Sequence, residues 1–300
     1  MKILMSGASG LVGSALCKDL RSDGHSITRI VRRAPAGDDE VEYNPAQRKI
    51  DRAGMEGHDA VVHLAGENIA GGRWNKKRML AIRDSRVDGT RAVCRAVARL
   101  KHKPEVVITA SAVGWYGDRG DELLDEDSKP GTGFLVEVCR DWEAGCYASR
   151  EAGLRVVNVR MGVVLAAQGG ALAKMLTPFK LGLGGRLGSG QQHMSWIGLT
   201  DLVRALRFCI DTPEIVGPVN AVSPDAATNQ DFTKTLGRVL SRPTAFPMPA
   251  FVARLLFGQM ADQVLLASAK VAPKKLQEAG FKFEQTVLED VLRDLLASAS

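Results

Sequence analysis

Residues 7 to 13 read GASGLVG, three glycines at a spacing of three directly after the apolar run KILMS. A strand that runs into a glycine turn and opens a helix is suited to holding a pyrophosphate. Gly7 permits the tight turn, Gly10 lets backbone approach the phosphates, and Gly13 lets helix and strand pack closely, while Ser9, Leu11 and Val12 complete the expected cofactor contacts of the turn. The helix N-terminus adds free N–H groups and positive potential. A ribose with a free 2′-hydroxyl wants an acid at the end of the second strand, whereas a 2′-phosphate wants cations. Here SITRIVRR ends on Arg32 and Arg33, with no acid before Asp38. Arginine forks match phosphate oxygens, so NADP(H) is expected in preference to NAD(H).

The elements that must position this turn alternate. KILMSG, SITRIVRR, DAVVHLAG, EVVITAS and RVVNVRMG read as buried strands. Between them LVGSALCKDLRSDGH, residues 75 to 100 and residues 134 to 151 read as helices. The alternation predicts an α/β fold, a doubly wound parallel (Rossmann) sheet with right-handed crossovers. After residue 165 the rhythm changes. GLGGRLGSGQQ (182 to 192) lacks GK[ST] and is no P-loop, leaving a loop over a site or a plain surface loop. LTDLVRALRFCI reads as a helix and GPVNAVS as one more strand. The proline-rich RPTAFPMPAF (242 to 251) marks a boundary, beyond which ARLLFGQMADQVLLAS and QTVLEDVLRDLLAS read as helices. The expected organisation is a dinucleotide-binding core over 1–165 and a smaller substrate or cap region over 166–300. That region is partly interleaved with the core, has a distinct segment from about 247–297, and is packed over the carboxyl ends of the strands.

Composition narrows the function class. The 300 residues are 45% apolar and 25% charged, values of an ordinary globular protein. No apolar run approaches the roughly 20 residues of a membrane span, and MKILMSG offers no signal-peptide core, so a soluble cytoplasmic protein is expected. Cys17, Cys94, Cys139, Cys146 and Cys209 lie without ligand spacing, so no metal is expected. The net charge of +6 is uneven, because arginines and lysines crowd residues 73 to 103. Without interleaved aromatics or a nucleic-acid module, that stripe reads as a solvated helix with a cation or two turned toward a phosphorylated cofactor, and no nucleic-acid partner is expected.

GASGLVG, DAVVHLAG, ASAVGWYGD, RMGVVL and SWIGLTDL together resemble the extended short-chain dehydrogenase/reductases, the NAD-dependent epimerase/dehydratase group that works largely on sugar nucleotides. HLAGENIAGGRW, FKLGLGGRLGSGQQHMSWI and RPTAFPMPAF with VAPKKLQEAGF are similar to an atypical branch of it, the YfcH-type epimerase-family proteins with a characteristic C-terminal domain. The resemblance runs from about residue 2 to 296. It implies that Leu64, Ala65 and Gly66 lie along the cofactor and that Arg86, where typical members carry an asparagine, is a cofactor ligand. It further implies that the segment after Arg160, including Val163, approaches the nicotinamide half. Relatives of the fold often dimerise through the helices after the third and fourth strands, so a homodimer is possible on this resemblance.

Typical members use a tyrosine with a lysine one helical turn later, whose ammonium lowers the tyrosine pKa toward working pH. None exists here. Tyr43 is followed at that spacing by Gln47, Tyr116 by Gly120 and Tyr147 by Glu151. The resemblance places Leu135 near the tyrosine position and Cys139 near the lysine position, and keeps the upstream serine as Ser111, which also counts among the cofactor contacts. The candidates for the chemistry are Ser111 to polarise a carbonyl and Cys139, Tyr116 or Glu67 to move the proton. Glu67 directly follows HLAG at a strand's carboxyl end. Asp118 reads as a turn former, Glu143 as a solvated helix residue, His63 as hydrogen-bonded structure and His193 as a residue within reach of a substrate. The expected protein is an NADP(H)-binding oxidoreductase or epimerase-like enzyme acting on an unidentified small molecule. The alternative is a non-catalytic NADP(H)-binding regulatory or scaffold protein.

Overall fold

A computed structural model describes residues 1–45, 47 and 49–297. The run KILMS forms β1 (Lys2–Ser6), in which Ile3 and Met5 turn to one face and Leu4 to the other, all fully buried. That two-sided burial recurs in the strands beside it. β2 is Ser26–Val31, β3 Glu40–Asn44, β4 Lys49–Ile50, β5 Ala60–His63 and β6 Val106–Ala112. With the strands Arg155–Met161 and Gly217–Ala221 they make an eight-stranded sheet in the order 217–221, 155–161, β6, β5, β1, β2, β3, β4. All neighbours are parallel except β3 and β4. Strands that alternate apolar residues onto both faces need helices on both, and the sequence supplies them.

On one face Ile3, Met5, Val62, Ile108 and Val157 pack against Leu16 and Leu20 of α1 (Leu11–Ser22) and against Leu202 and Leu206 of the helix Leu199–Asp211. On the other, Leu4, Val61, Val107 and Val156 pack against Val93 and Val97 of α2 (Lys76–Val97). Residues 217–221, within the 166–300 region, are thus the sheet's last strand. A separate cluster joins Leu172, Leu176 and Phe179 of the helix Gly170–Lys180 to Phe232, Leu236, Val291 and Leu292. No helix among the described residues is long and apolar enough to cross a membrane.

Three elements differ from expectation. The helix expected over 134 to 151 divides into α3 (Phe134–Ala144) and α4 (Tyr147–Glu151) at Gly145, where a Cβ would stand 3.4 Å from Thr90 of α2. The helix expected in ARLLFGQMADQVLLAS stops after Phe257 at Gly258 (φ 59°) and resumes as a π-helical turn, Ala261–Leu265. The hairpin of β3 and β4 extends the sheet where no strand was expected, because Val41 alone of its middle residues is an obvious core side chain. Residues 298–300 of the expected cap region lie outside the described residues.

Asp201 ties the C-terminal segment to the sheet. Fully buried, its carboxylate accepts from Glu284 N at 3.0 Å, Gln285 N at 2.8 Å and Arg204 Nη1 at 2.6 Å. Removing it orphans two backbone donors and leaves Arg204 with Glu284 as its remaining carboxylate partner. Asp201→Ala is therefore expected to lower the unfolding free energy by about 2–4 kcal/mol in a denaturant titration, and Arg204→Ala by less.

Candidate nucleotide and active site

β1 leaves the sheet at Gly7, whose φ of 72° lies where glycine is favoured. A Cβ there would stand 2.7 Å from Ala65 N, so the turn abuts the end of β5. A Cβ on Gly13 would stand 2.1 Å from the Gly7 carbonyl oxygen. Gly10 forms the N-cap of α1 with no side-chain cap, and its N–H donates to Gly7 O at 3.0 Å. The first turn of α1 thus keeps N–H groups directed at the space above the sheet, beside Ser9, Leu11 and Val12. Leu64, Ala65 and Gly66 border the same space, with Leu64 N donating to Ser6 O at 3.1 Å. These residues fit a dinucleotide: two of the three glycines stand where any side chain would collide with backbone.

Beneath the turn, Ser6 Oγ and His63 Nδ1 share a 2.5 Å hydrogen bond. Burial holds the imidazole neutral, with its pKa lowered to about 4. Nε2 faces Gly89 of α2 and has no hydrogen-bond partner among the described residues. His63 is internal support for the cradle floor.

At the end of β2 the two arginines part company. Arg33 makes a two-pronged contact with the Glu40 carboxylate at 2.6 and 2.7 Å. Arg32 is exposed and its side chain has no hydrogen bond or ion pair among the described residues, so its fork is free for a 2′-phosphate. Arg86 is the second available cation. Its Nη1 donates to Glu67 O at 3.0 Å and Ile82 O at 3.2 Å, and its guanidinium lies 5.1 Å over the Trp142 ring. No carboxylate reaches it in an ion pair among the described residues, and burial pulls its pKa down. The guanidinium is partly buried against Gly66, with the Glu67 carboxylate acting on it through space, a setting in which an anionic or carbonyl oxygen could be accommodated.

The positions of the missing pair are filled differently. Leu135 packs into an apolar cluster with Trp74, Phe134, Phe257 and Met260, so the C-terminal segment roofs the place where a tyrosine would stand. Leu135 N lies 3.3 Å from Gln263 Oε1 of that segment. Cys139 is buried, with Sγ 3.8 Å from Ala112 O, and burial pushes its thiol up to about 12. Such a thiol carries no useful thiolate at neutral pH.

Ser111 and Tyr116 enter a buried network. Ser111 Oγ donates to Glu143 Oε1 at 2.7 Å, and Glu143 is held by Arg160 through Nε at 2.8 Å and Nη2 at 3.0 Å. Arg160 Nη1 donates to the Tyr116 hydroxyl at 3.1 Å, which donates to Asn220 Oδ1 at 2.7 Å. Burial pushes the Tyr116 hydroxyl up to about 12. Asn220 N then donates to Glu126 Oε1 at 2.9 Å, and burial raises the Glu126 pKa. Glu143, expected as a solvated helix residue, is instead a buried counter-ion. The signal was legible, since an arginine inside the apolar strand RVVNVRMG demands a carboxylate. Nothing comparable announced Asn220 or Glu126.

The remaining candidates lie apart. Glu67 follows the cradle, its carboxylate 39% exposed and 3.7 Å from Arg78 Nη2. Asp118 Oδ1 accepts from Ser268 N at 3.1 Å, tethering the C-terminal segment. His193 Nε2 lies 3.3 Å from Asp121, on the strand pair His193–Met194 and Ala227–Thr228. Val163 pairs with Trp196 in a short parallel ladder. The 182–192 loop is anchored to the proline-rich segment, with Gly188 N donating to Met248 O at 2.9 Å. No group of three or more potential metal-ligating side chains occurs among the described residues.

Comparison with known proteins agrees with this geometry. Residues 3–222 match the NAD dependent epimerase/dehydratase family, and residues 248–295 match a domain of unknown function, DUF1731. Epimerase family protein Mb2239 of Mycobacterium bovis is 44% identical, over 97% of this chain and 96% of that one. The crystal structure of human epimerase family protein SDR39U1 (isoform 2) with NADPH superposes with a TM-score of 0.92 at 32% identity, covering 99% of both chains. A nucleoside-diphosphate sugar epimerase from Corynebacterium glutamicum gives a TM-score of 0.82 at 35% identity, covering 98% of this chain and 58% of that one.

The neutral His63 makes a pH prediction. Its folded pKa of about 4 lies below the ordinary 6.5, so protons bind the unfolded chain preferentially between those values. Its contribution is complete above the unfolded pKa and is lost as pH falls toward 4. Unfolding free energy is expected to drop by about 3 kcal/mol across that window from this residue, and His63→Gln to flatten the drop, as read by denaturant titrations at stepped pH.

Proposed function

Because the chain belongs to the NAD dependent epimerase/dehydratase family yet lacks the tyrosine–lysine pair, we propose that it is an NADP(H)-dependent oxidoreductase or epimerase-like enzyme in which Glu67 moves the proton. Arg32 and the first turn of α1 support NADP(H) as the ligand, as does the NADPH held by the human relative. The cofactor supplies the hydride acceptor or donor; this chain's residues orient it, exclude water and handle the proton.

One observation carries the choice of Glu67. Of the four candidates, Ser111 donates its proton to Glu143, Tyr116 is buried and bonded at its hydroxyl, and the Cys139 thiol is buried. Glu67 alone keeps a carboxylate partly open to solvent, one residue beyond Gly66. Arg86, which holds the Glu67 carbonyl, would fix that backbone while its remaining donors meet a ligand oxygen. The roof formed by Trp74, Phe257 and Met260 supports the exclusion of water from the reacting carbons. The Corynebacterium relative is named for nucleoside-diphosphate sugars, which makes these the first substrate class to assay.

The rival reading takes NADP(H) as a structural or sensing ligand, and the apolar packing around Leu135 favours it, since no acid or base stands where the family keeps one. Turnover decides between them. Glu67→Gln is expected to leave NADPH affinity unchanged and to cut turnover about 100-fold, while Cys139→Ala leaves turnover intact. Tight NADPH binding with no oxidation across nucleoside-diphosphate sugars, aldehydes and ketones would establish the regulatory reading instead.

A further inference from the structure

The basic stripe in α2 is not absorbed by the cofactor site. Arg91, Arg95 and Arg99 recur every four residues, so they share one face of the helix and its C-terminal extension, each about 6 Å from the next. Opposite them stand Lys49 at the end of the β3–β4 hairpin and Arg52 in the turn beyond it. Together these walls border an open cleft of about 440 Å³, floored by Ile50, Ala92 and Ala96. Alanine at 92 and 96 is what leaves the space open.

The charge in this cavity is unbalanced. The side chains of Lys49, Arg52, Arg95 and Arg99 make no hydrogen bond or ion pair among the described residues. Asp88 is the one acid lining it, 3.8 Å from Arg91. Two acids close in sequence to the cleft are held by backbone N–H groups rather than by its cations: Asp51 accepts from Ala53 N at 3.0 Å, and Glu56 accepts from Lys101 N and His102 N, both at 3.0 Å. Converging cations in a concave site focus positive potential and concentrate anions there. The cationic end of the cavity is distant from the nucleotide cradle, with Asp88 at the end nearer to it. Arg99 lies thirteen residues beyond Arg86, about 20 Å along the helix direction, toward the amino ends of the strands.

We propose that this cavity is a second binding site, for a small molecule carrying two or more linked phosphates. Successive arginine forks one turn apart suit a chain of phosphates rather than a single one, and the apolar floor accepts a ring or alkyl group beside it. A partner copy docked on this face would instead set like charges against each other across a two-fold axis.

The test titrates inorganic tripolyphosphate into the full chain by calorimetry. The expected result is binding that weakens on the order of 100-fold in the double variant R95E/R99E, with thermal stability and NADPH affinity unchanged, since both side chains are exposed. Asp88→Asn is expected to tighten it, because a repelling carboxylate is lost. Binding that ignores R95E/R99E but falls in Arg32→Ala would place the phosphates in the nucleotide cradle and overturn the proposal. So would a single-stranded oligonucleotide that binds far more tightly than tripolyphosphate and loses that advantage in R95E/R99E, which would make the face a nucleic-acid surface.

Discussion

The ion pair between Glu143 and Arg160 is the buried joint on which a polar path from the core to the C-terminal segment depends. Arg160 rises from the sheet with its guanidinium over Trp115, 4.0 Å from the ring centroid, and Glu143 descends from α3 to meet it. Neither charge has appreciable contact with water, so each is tolerable only because the other is present and because Ser111 and Tyr116 satisfy further lone pairs and protons. Through Tyr116 the chain of contacts reaches Asn220, and through Asn220 Nδ2 it reaches Ala272 O of the C-terminal segment at 2.9 Å. Three strands, α3, the turn at Tyr116 and the C-terminal segment are thereby joined by one connected polar path. Such a path specifies geometry more stringently than apolar contact does, since a slip of any member strands a buried charge.

This joint engages the hydroxyls of both Ser111 and Tyr116. A serine beside a buried carboxylate turns its hydroxyl inward, and a tyrosine wedged between arginine and asparagine keeps its proton. The helix where the resemblance places the acid and base carries Leu135 and Cys139 instead, and contributes Glu143 to the joint. Its outer surface, Leu135 with Phe134, is covered by Phe257 and Met260, residues from beyond Gly258 and just before it. The domain over residues 248–295 thus occupies the approach to the missing pair.

Much of this was legible in the residues. Alternating apolar strands and helices, with glycine turns between, leave few arrangements that bury both faces of a sheet, and the glycine turn identifies the nucleotide edge because backbone sterics admit no side chain at Gly7 or Gly13. What escaped the reading depends on distance along the chain. Gly145 has little room for a side chain because Thr90 stands beside it, and Glu143 is buried because Arg160 lies seventeen residues on in the adjoining strand. Periodicity reports which side of an element is apolar; it is silent about which polar residue of one element will face which of another. Arg33 shows the same limit. Its type announced a phosphate ligand, and only the fold reveals that Glu40 had taken it.

The sheet order also bears on how the chain comes to be folded during synthesis. The strand Arg155–Met161 is complete well before Gly217–Ala221, its outer neighbour, leaves the ribosome, and Asn220 and Ala272 arrive later still. In that interval the nascent chain presents a long open strand edge rich in valine, with Tyr116 and Arg160 lacking part of their final company. Unpaired edges of this kind invite pairing with other chains, so the growing polypeptide passes through a window in which chaperone capture competes with self-association. Closing it requires contacts about sixty residues apart in sequence, which is slow relative to local helix formation.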